Sequence, residues 1–153
     1  MNSLTTAAPT LPAMSPQAVD MVRRLEDELI GMPQVDIETK HTFHAGMYAR
    51  TITIPAGVVL TGALIKLPTI VIVEGDCTVF VGGDQPSRLV GYHVLQAAAG
   101  RKQVFMAHRN THVTMMFPSA AQTVEDAENE FTDEAHRLLS RRTHQEKEPC
   151  QEP

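Results

Sequence analysis

Along residues 35–118 apolar side chains recur at alternate positions in short runs broken by turn-forming residues. Tyr48, Arg50, Ile52 and Ile54 alternate with Met47, Ala49, Thr51 and Thr53, and further runs cover residues 58–65, 69–73, 77–81, 89–95, 103–107 and 113–117. A period of two is the signature of a half-buried strand. Seven runs in about 85 residues is the density of a β-barrel or β-sandwich. Glu74-Gly75-Asp76 is expected to form a tight hairpin turn, and Gly82-Gly83-Asp84-Gln85-Pro86 a longer loop.

Two segments carry the helical period instead. In residues 15–32, Ser15 is placed as N-cap and Pro16 at the first helical position. Ala18, Met21, Val22, Leu25 and Leu29 then form an apolar stripe until Gly31 and Pro33 end it. The opposite face, with Asp20, Arg23, Arg24 and Asp27, predicts solvated surface. Residues 119–142 hold a second helix, from residue 123 to about 141. Thr123 with Asp126 approximates a capping box, and Val124, Ala127, Phe131, Ala135, Leu138 and Leu139 make the stripe. Glu125, Asp126, Glu128 and Glu130 crowd its first half while Arg137, Arg141 and Arg142 close it, which suits the helix dipole. This helix packs either on the barrel or on a neighbouring subunit. Residues 1–14, rich in Thr, Ala and Pro, predict a flexible arm, and residues 143–153 a flexible tail.

At 153 residues the chain has room for one hydrophobic core, so a single globular domain is expected. The net charge of −5 leaves no basic stripe to neutralise phosphates, which argues against a nucleic-acid partner. The N-terminus lacks a basic region followed by an apolar run, and the apolar stretches are strand-sized; neither a signal peptide nor a membrane span is expected. The expectation is a soluble cytoplasmic protein. Cys77 and Cys150 are too few for a disulfide framework and are expected to be reduced thiols.

The strand run carrying Pro55-Ala56-Gly57 and Glu74-Gly75-Asp76 resembles the cupin superfamily. Gly57 and Gly75 fit the glycines bracketing its first motif, and Gly91 and Gly100 those of its second, with one extra residue between them. The resemblance implies a mainly β, double-stranded β-helix (jelly-roll) barrel, here flanked by the two helices. It also implies where metal ligands would stand: the paired histidines fall on Ala63 and Ile65, the carboxylate on Pro68 or Thr69, and the last histidine on Gln103. None of these is a metal ligand of the expected kind. No catalytic residue and no cofactor is therefore expected. The wording HTFHAGMYARTITIPAG, with GYHVLQAAAGRKQVFMAH and the acidic helix after it, is similar to small cupin-like proteins encoded in phage and prophage genomes. That likeness implies a non-catalytic protein acting through homo-oligomeric assembly. It adds other phage structural proteins as partners, host cytoplasm as location, and carriage in a virion as a further expectation.

Two other readings stay open. A metal site could be rebuilt from displaced histidines among His41, His44, His93, His108 and His112, with His44, His93 and His108 as the fallback set. Against it, His41 and His44 are three apart and point to opposite faces of a strand, and His108 and His112 straddle a turn. Alternatively the barrel binds a small anionic molecule through Tyr48, Arg50 and Gln103, which would share the inward face with Ala63 and Ile65. An arginine on that face must be paired or solvated. A bound anion could supply the pair, and so could a carboxylate at the barrel mouth. A nucleophile elbow and a phosphate-cradling glycine loop are both absent from the sequence.

Overall fold

In the computed structural model, which describes residues 10–83 and 85–138, the chain begins with β1 (Thr10–Leu11), α1 (Pro16–Ile30), β2 (Glu38–His44) and β3 (Met47–Ile54). It continues through β4 (Val59–Thr61), β5 (Thr69–Phe80), β6 (Ser87–Ala97), β7 (Val104–Ala107) and β8 (Thr111–Pro118) to α2 (Val124–Phe131) and a 3-10 turn at Ala135–Arg137. The first nine residues of the expected arm, Asp84, the end of the second expected helix and the tail with Cys150 lie outside the described residues.

The main sheet has the order β1-β6-β5-β8-β3-β2, and β7 joins β5 to β4. All contacts are antiparallel except β1 on β6. Alternation decides what lies inside. Ile54, Val71, Val73, Cys77, Val79, Leu95, Phe105 and Val113 close a common core, and Leu11 of β1 joins it. Each such side chain contributes roughly 1.5–3 kcal/mol relative to exposure. The last part of the expected arm is thus a strand on the chain's own sheet. Ala45 (φ 52°) and Gly46 (φ 71°) turn β2 into β3 in a two-residue hairpin.

Glu74-Gly75-Asp76 does not make the expected turn. It lies inside β5, which is 12 residues long. Residues 70–74 of β5 pair with β8 and residues 77–80 with β7, while β6 follows residues 69–79. The strand changes partner at Gly75, whose φ of 145° is open to glycine and strained for other residues. A Cβ there would stand 2.6 Å from Thr111 Oγ1 and 2.9 Å from the Asn110 carbonyl. In the space glycine leaves, Thr111 Oγ1 accepts from the Asp76 amide at 3.2 Å and pins the bend. The run expected at 58–65 is likewise shorter: only β4 is regular, and Ile65 pairs with Arg101 as an isolated bridge.

Both helices begin as the sequence predicts. Ser15 Oγ accepts from the Ala18 amide, and Thr123 Oγ1 from the Asp126 amide. The buried face of α1 is rotated from the expected stripe: Met21 is exposed, whereas Val19 and Glu26 are buried. α2 is shorter than expected and has no basic residue in its last turn. Thr132 leaves helical geometry, and its hydroxyl accepts from the Glu134 amide, a local bond that competes with helix continuation. No helix among the described residues is long and apolar enough to cross a membrane.

Gly75→Ala is expected to destabilise the fold by roughly 2 kcal/mol or more, because backbone strain and the clash with Thr111 add. Gly83→Ala, where an added Cβ meets nothing within 4 Å, should be near neutral. Urea unfolding of the two variants beside the parent checks the contrast.

Candidate functional site: the barrel lumen

Inward-facing residues of β3 set one wall of the lumen. The register places Tyr48 beside Phe117, Arg50 beside Met115 and Ile52 beside Val113 on β8, with Val71 and Val73 of β5 beyond. The space between the walls is a cavity of about 480 Å³. Ile52, Val58, Leu60, Val71, Phe105 and Met115 give it an apolar lining, to which Leu29, Ile30 and residues 32–35 add, together with Glu134, Arg137 and Leu138.

The residues expected to share this face separate into two groups. Arg50, Gln103, Ala63 and Ile65 line the cavity. Tyr48 does not; it is fully buried in an aromatic cluster with Phe117, Ala127 and Phe131, and its hydroxyl bonds His41 Nδ1 at 2.7 Å. Arg50 donates to Glu128 Oε2 of α2 at 2.8 Å and sits 5.7 Å from the Phe131 ring centroid. Of the two partners weighed for Arg50, the geometry contains the carboxylate.

At the positions where the resemblance puts metal ligands, the donor set does not fit a metal. Ala63 and Ile65 offer hydrocarbon, Pro68 is exposed, and the Thr69 hydroxyl accepts from Arg101 Nη2 at 2.6 Å. Gln103 has a buried Nε2 without a hydrogen-bond partner. The fallback histidines stand apart. His44 is exposed at the end of β2, His93 Nε2 lies 2.8 Å from the Val90 carbonyl, and His108 Nε2 lies 2.7 Å from Thr78 Oγ1. Among the described residues no three His, Cys, Asp or Glu side chains are grouped to hold a metal ion.

The sequence reading missed the charges that define the wall. Lys102 is 1% exposed, and its ammonium lies 2.9 Å from Glu26 Oε2 and 3.0 Å from Glu134 Oε2. Arg137 reaches the other Glu26 oxygen at 2.9 Å, and Arg23 the other Glu134 oxygen at 2.9 Å. Thus Arg23 and Asp27, expected as solvated surface, join a network that ties α1 and the 3-10 turn to the barrel. Burial alone would raise the Glu134 carboxyl; the Leu64 amide, Lys102 and Arg23 outweigh it and hold the group below the usual carboxylate range. Arg101 is also 1% exposed, and burial pulls its guanidinium down to about 10, still charged at neutral pH. The signal for both was present as Arg101-Lys102, two adjacent cations ahead of an apolar run.

No known family profile and no curated protein matches the sequence. Solved structures do match. A cupin superfamily protein of Desulfitobacterium hafniense is similar at 14% identity, covering 74% of this chain and 99% of its own, with a TM-score of 0.46. A Klebsiella pneumoniae protein with a double-stranded β-helix domain is similar at 13% identity over 62% of this chain and 83% of its own, TM-score 0.47. The cupin_2 domain of an XRE family transcriptional regulator from Enterobacter cloacae is 13% identical over 52% of this chain and 93% of its own, TM-score 0.43. Cupin superfamily proteins are thus among the solved structures to which the chain is similar.

Glu134→Gln should cost about 2 kcal/mol at neutral pH by weakening charged hydrogen bonds to Lys102 and Arg23. Because the folded-state pKa of Glu134 is depressed, its contribution is complete above the unfolded carboxylate pKa of about 4.3 and is lost as pH falls through the lower folded value. The stability gap between parent and variant, measured by urea unfolding, should therefore be constant above about pH 6 and narrow towards pH 3.

Proposed function

We propose that the chain is a small-molecule binding barrel that works without a metal ion, its lumen taking up one ligand. The observation that carries this is the cavity of about 480 Å³ inside the barrel, within the roughly 300–1,000 Å³ of small-molecule sites. Its chemistry supports the reading as well. An apolar wall with a few polar groups favours uptake of an organic molecule, and the residues at the metal-ligand positions supply no donor set for metal catalysis.

A second reading, homo-oligomeric assembly, rests on the outer sheet face. Ile70, Val90, Tyr92 and Val94 are exposed there beside Ile72 and Met116. The occupant we propose is a second copy of this chain, since a two-fold pair would bury the same apolar face on both sides. Three or four strands about 4.8 Å apart and about 20 Å long give roughly 300–400 Å², at most half of the ~800 Å² each partner gives a standard interface. The pairing is therefore weak. Assembly into a virion, with phage structural proteins as partners, is carried by the sequence wording alone.

Ala63→Trp, which fills the lumen, should lower the affinity for any lumen ligand by at least about tenfold, whereas Met21→Ala on exposed α1 surface should leave it unchanged. Ligand-observed NMR with a panel of small acids, alcohols and amides is the measurement; equal binding by parent and Ala63→Trp would end the lumen reading. For the second reading, light scattering from about 10 μM to 1 mM should show a monomer–dimer equilibrium that Val94→Lys abolishes. A parent monomeric throughout would dismiss it.

A further inference from the structure

We propose that the lumen selects a monoanion: a ligand with an apolar body and one carboxylate, received by Arg101 with Gln103 beside it. This rests on the lumen being a binding site and names the chemistry of its occupant.

The wall contains four cations, Arg50, Arg101, Lys102 and Arg137. Three face carboxylates of this chain: Arg50 faces Glu128, Lys102 faces Glu26 and Glu134, and Arg137 faces Glu26. Arg101 is different. Its Nη1 donates to the carbonyls of Ala98 at 2.7 Å and Leu67 at 3.3 Å, and its Nη2 to Thr69 Oγ1 at 2.6 Å and Met115 Sδ at 3.8 Å. All four acceptors are neutral, and among the described residues none of the ion pairs includes Arg101.

A guanidinium buried without a counter-charge is unfavourable by several kcal/mol, and hydrogen bonds to carbonyls offset only part of that. Arg101 Nε is also buried with no hydrogen-bond partner, and so is Nε2 of Gln103 two residues on. A carboxylate in the cavity that both side chains line would bring the missing negative charge and acceptor oxygens. The charge count limits the ligand. One uncompensated cation suits a monoanion, whereas a phosphate dianion would leave a negative charge against Ile52, Val71, Phe105 and Met115. Those same side chains favour an apolar body, aliphatic or aromatic.

The test is isothermal titration of the full chain at pH 7.5 with hexanoate and 3-phenylpropionate, each beside its matched primary alcohol, and with hexylamine. The expected result is at least about tenfold tighter binding of acid than alcohol, with no heat from the amine. The better of the two acids identifies the body. Arg101→Gln should abolish the acid preference and leave alcohol affinity within about threefold. Should that variant fail to fold, Gln103→Leu, which leaves the guanidinium in place, is expected to lower acid affinity several-fold and spare the alcohol. Acid and alcohol binding equally, or amine binding best, would overturn the anion assignment while leaving the lumen as a site. Absence of binding by every probe would overturn both.

Discussion

Burying the Lys102 ammonium is the constraint from which the placement of both flanking segments follows. An ammonium at 1% exposure is tolerable only with counter-charges in contact. Glu26 comes from α1 and Glu134 from the stretch after α2, so two parts of the chain far apart in sequence meet at one barrel residue. Each carboxylate then takes a second cation, Arg137 or Arg23, and the pairs run as one chain from Arg23 through Lys102 to Arg137. Members that share partners act as a unit, so removing one weakens the others' bonds as well. The same charges form part of the lumen wall, and the cavity thus depends on the clamp that holds the helices.

What could be read from the sequence was whatever had a local cause. Period-two alternation marked β3, β6 and β8, and Ser15-Pro16 and Thr123 marked the helix starts, because neighbours within a few residues decide these features. Glu74-Gly75-Asp76 misled because the residues that suit a hairpin turn also suit a strand that bends and changes partner; only Thr111, packed against Gly75, distinguishes the two. The apolar stripe of α1 misled for a related reason. Glu26 is buried in place of Met21 because Lys102 lies opposite it, and helical periodicity carries no information about a barrel residue 76 positions on. A carboxylate for Arg50 was foreseen as one of two outcomes, but its identity, Glu128, is fixed by how α2 docks. Arg101-Lys102 stood out as two adjacent cations ahead of an apolar run, but the long-range contacts that bury Arg101, its bridge to Ile65 and its bond to Thr69, have no local signature.

The resemblance placed a ligating carboxylate at Pro68 or Thr69, and the structure puts the Thr69 hydroxyl on Arg101. A guanidinium attracts and orients an oxyanion through fixed N–H directions, but it has no open coordination position with which to activate water or polarise a bond.

The rims of the sheet bear on how copies of this protein can meet. β1 is two residues long and β4 three, too short to template another strand. β2, the longest rim strand, sets Lys40 beside Glu38 at 3.3 Å, an arrangement that discourages a foreign strand from docking alongside. Fibre-like growth by strand addition is thereby opposed on each of these margins, which leaves the broad sheet surface as the apolar face open to contact.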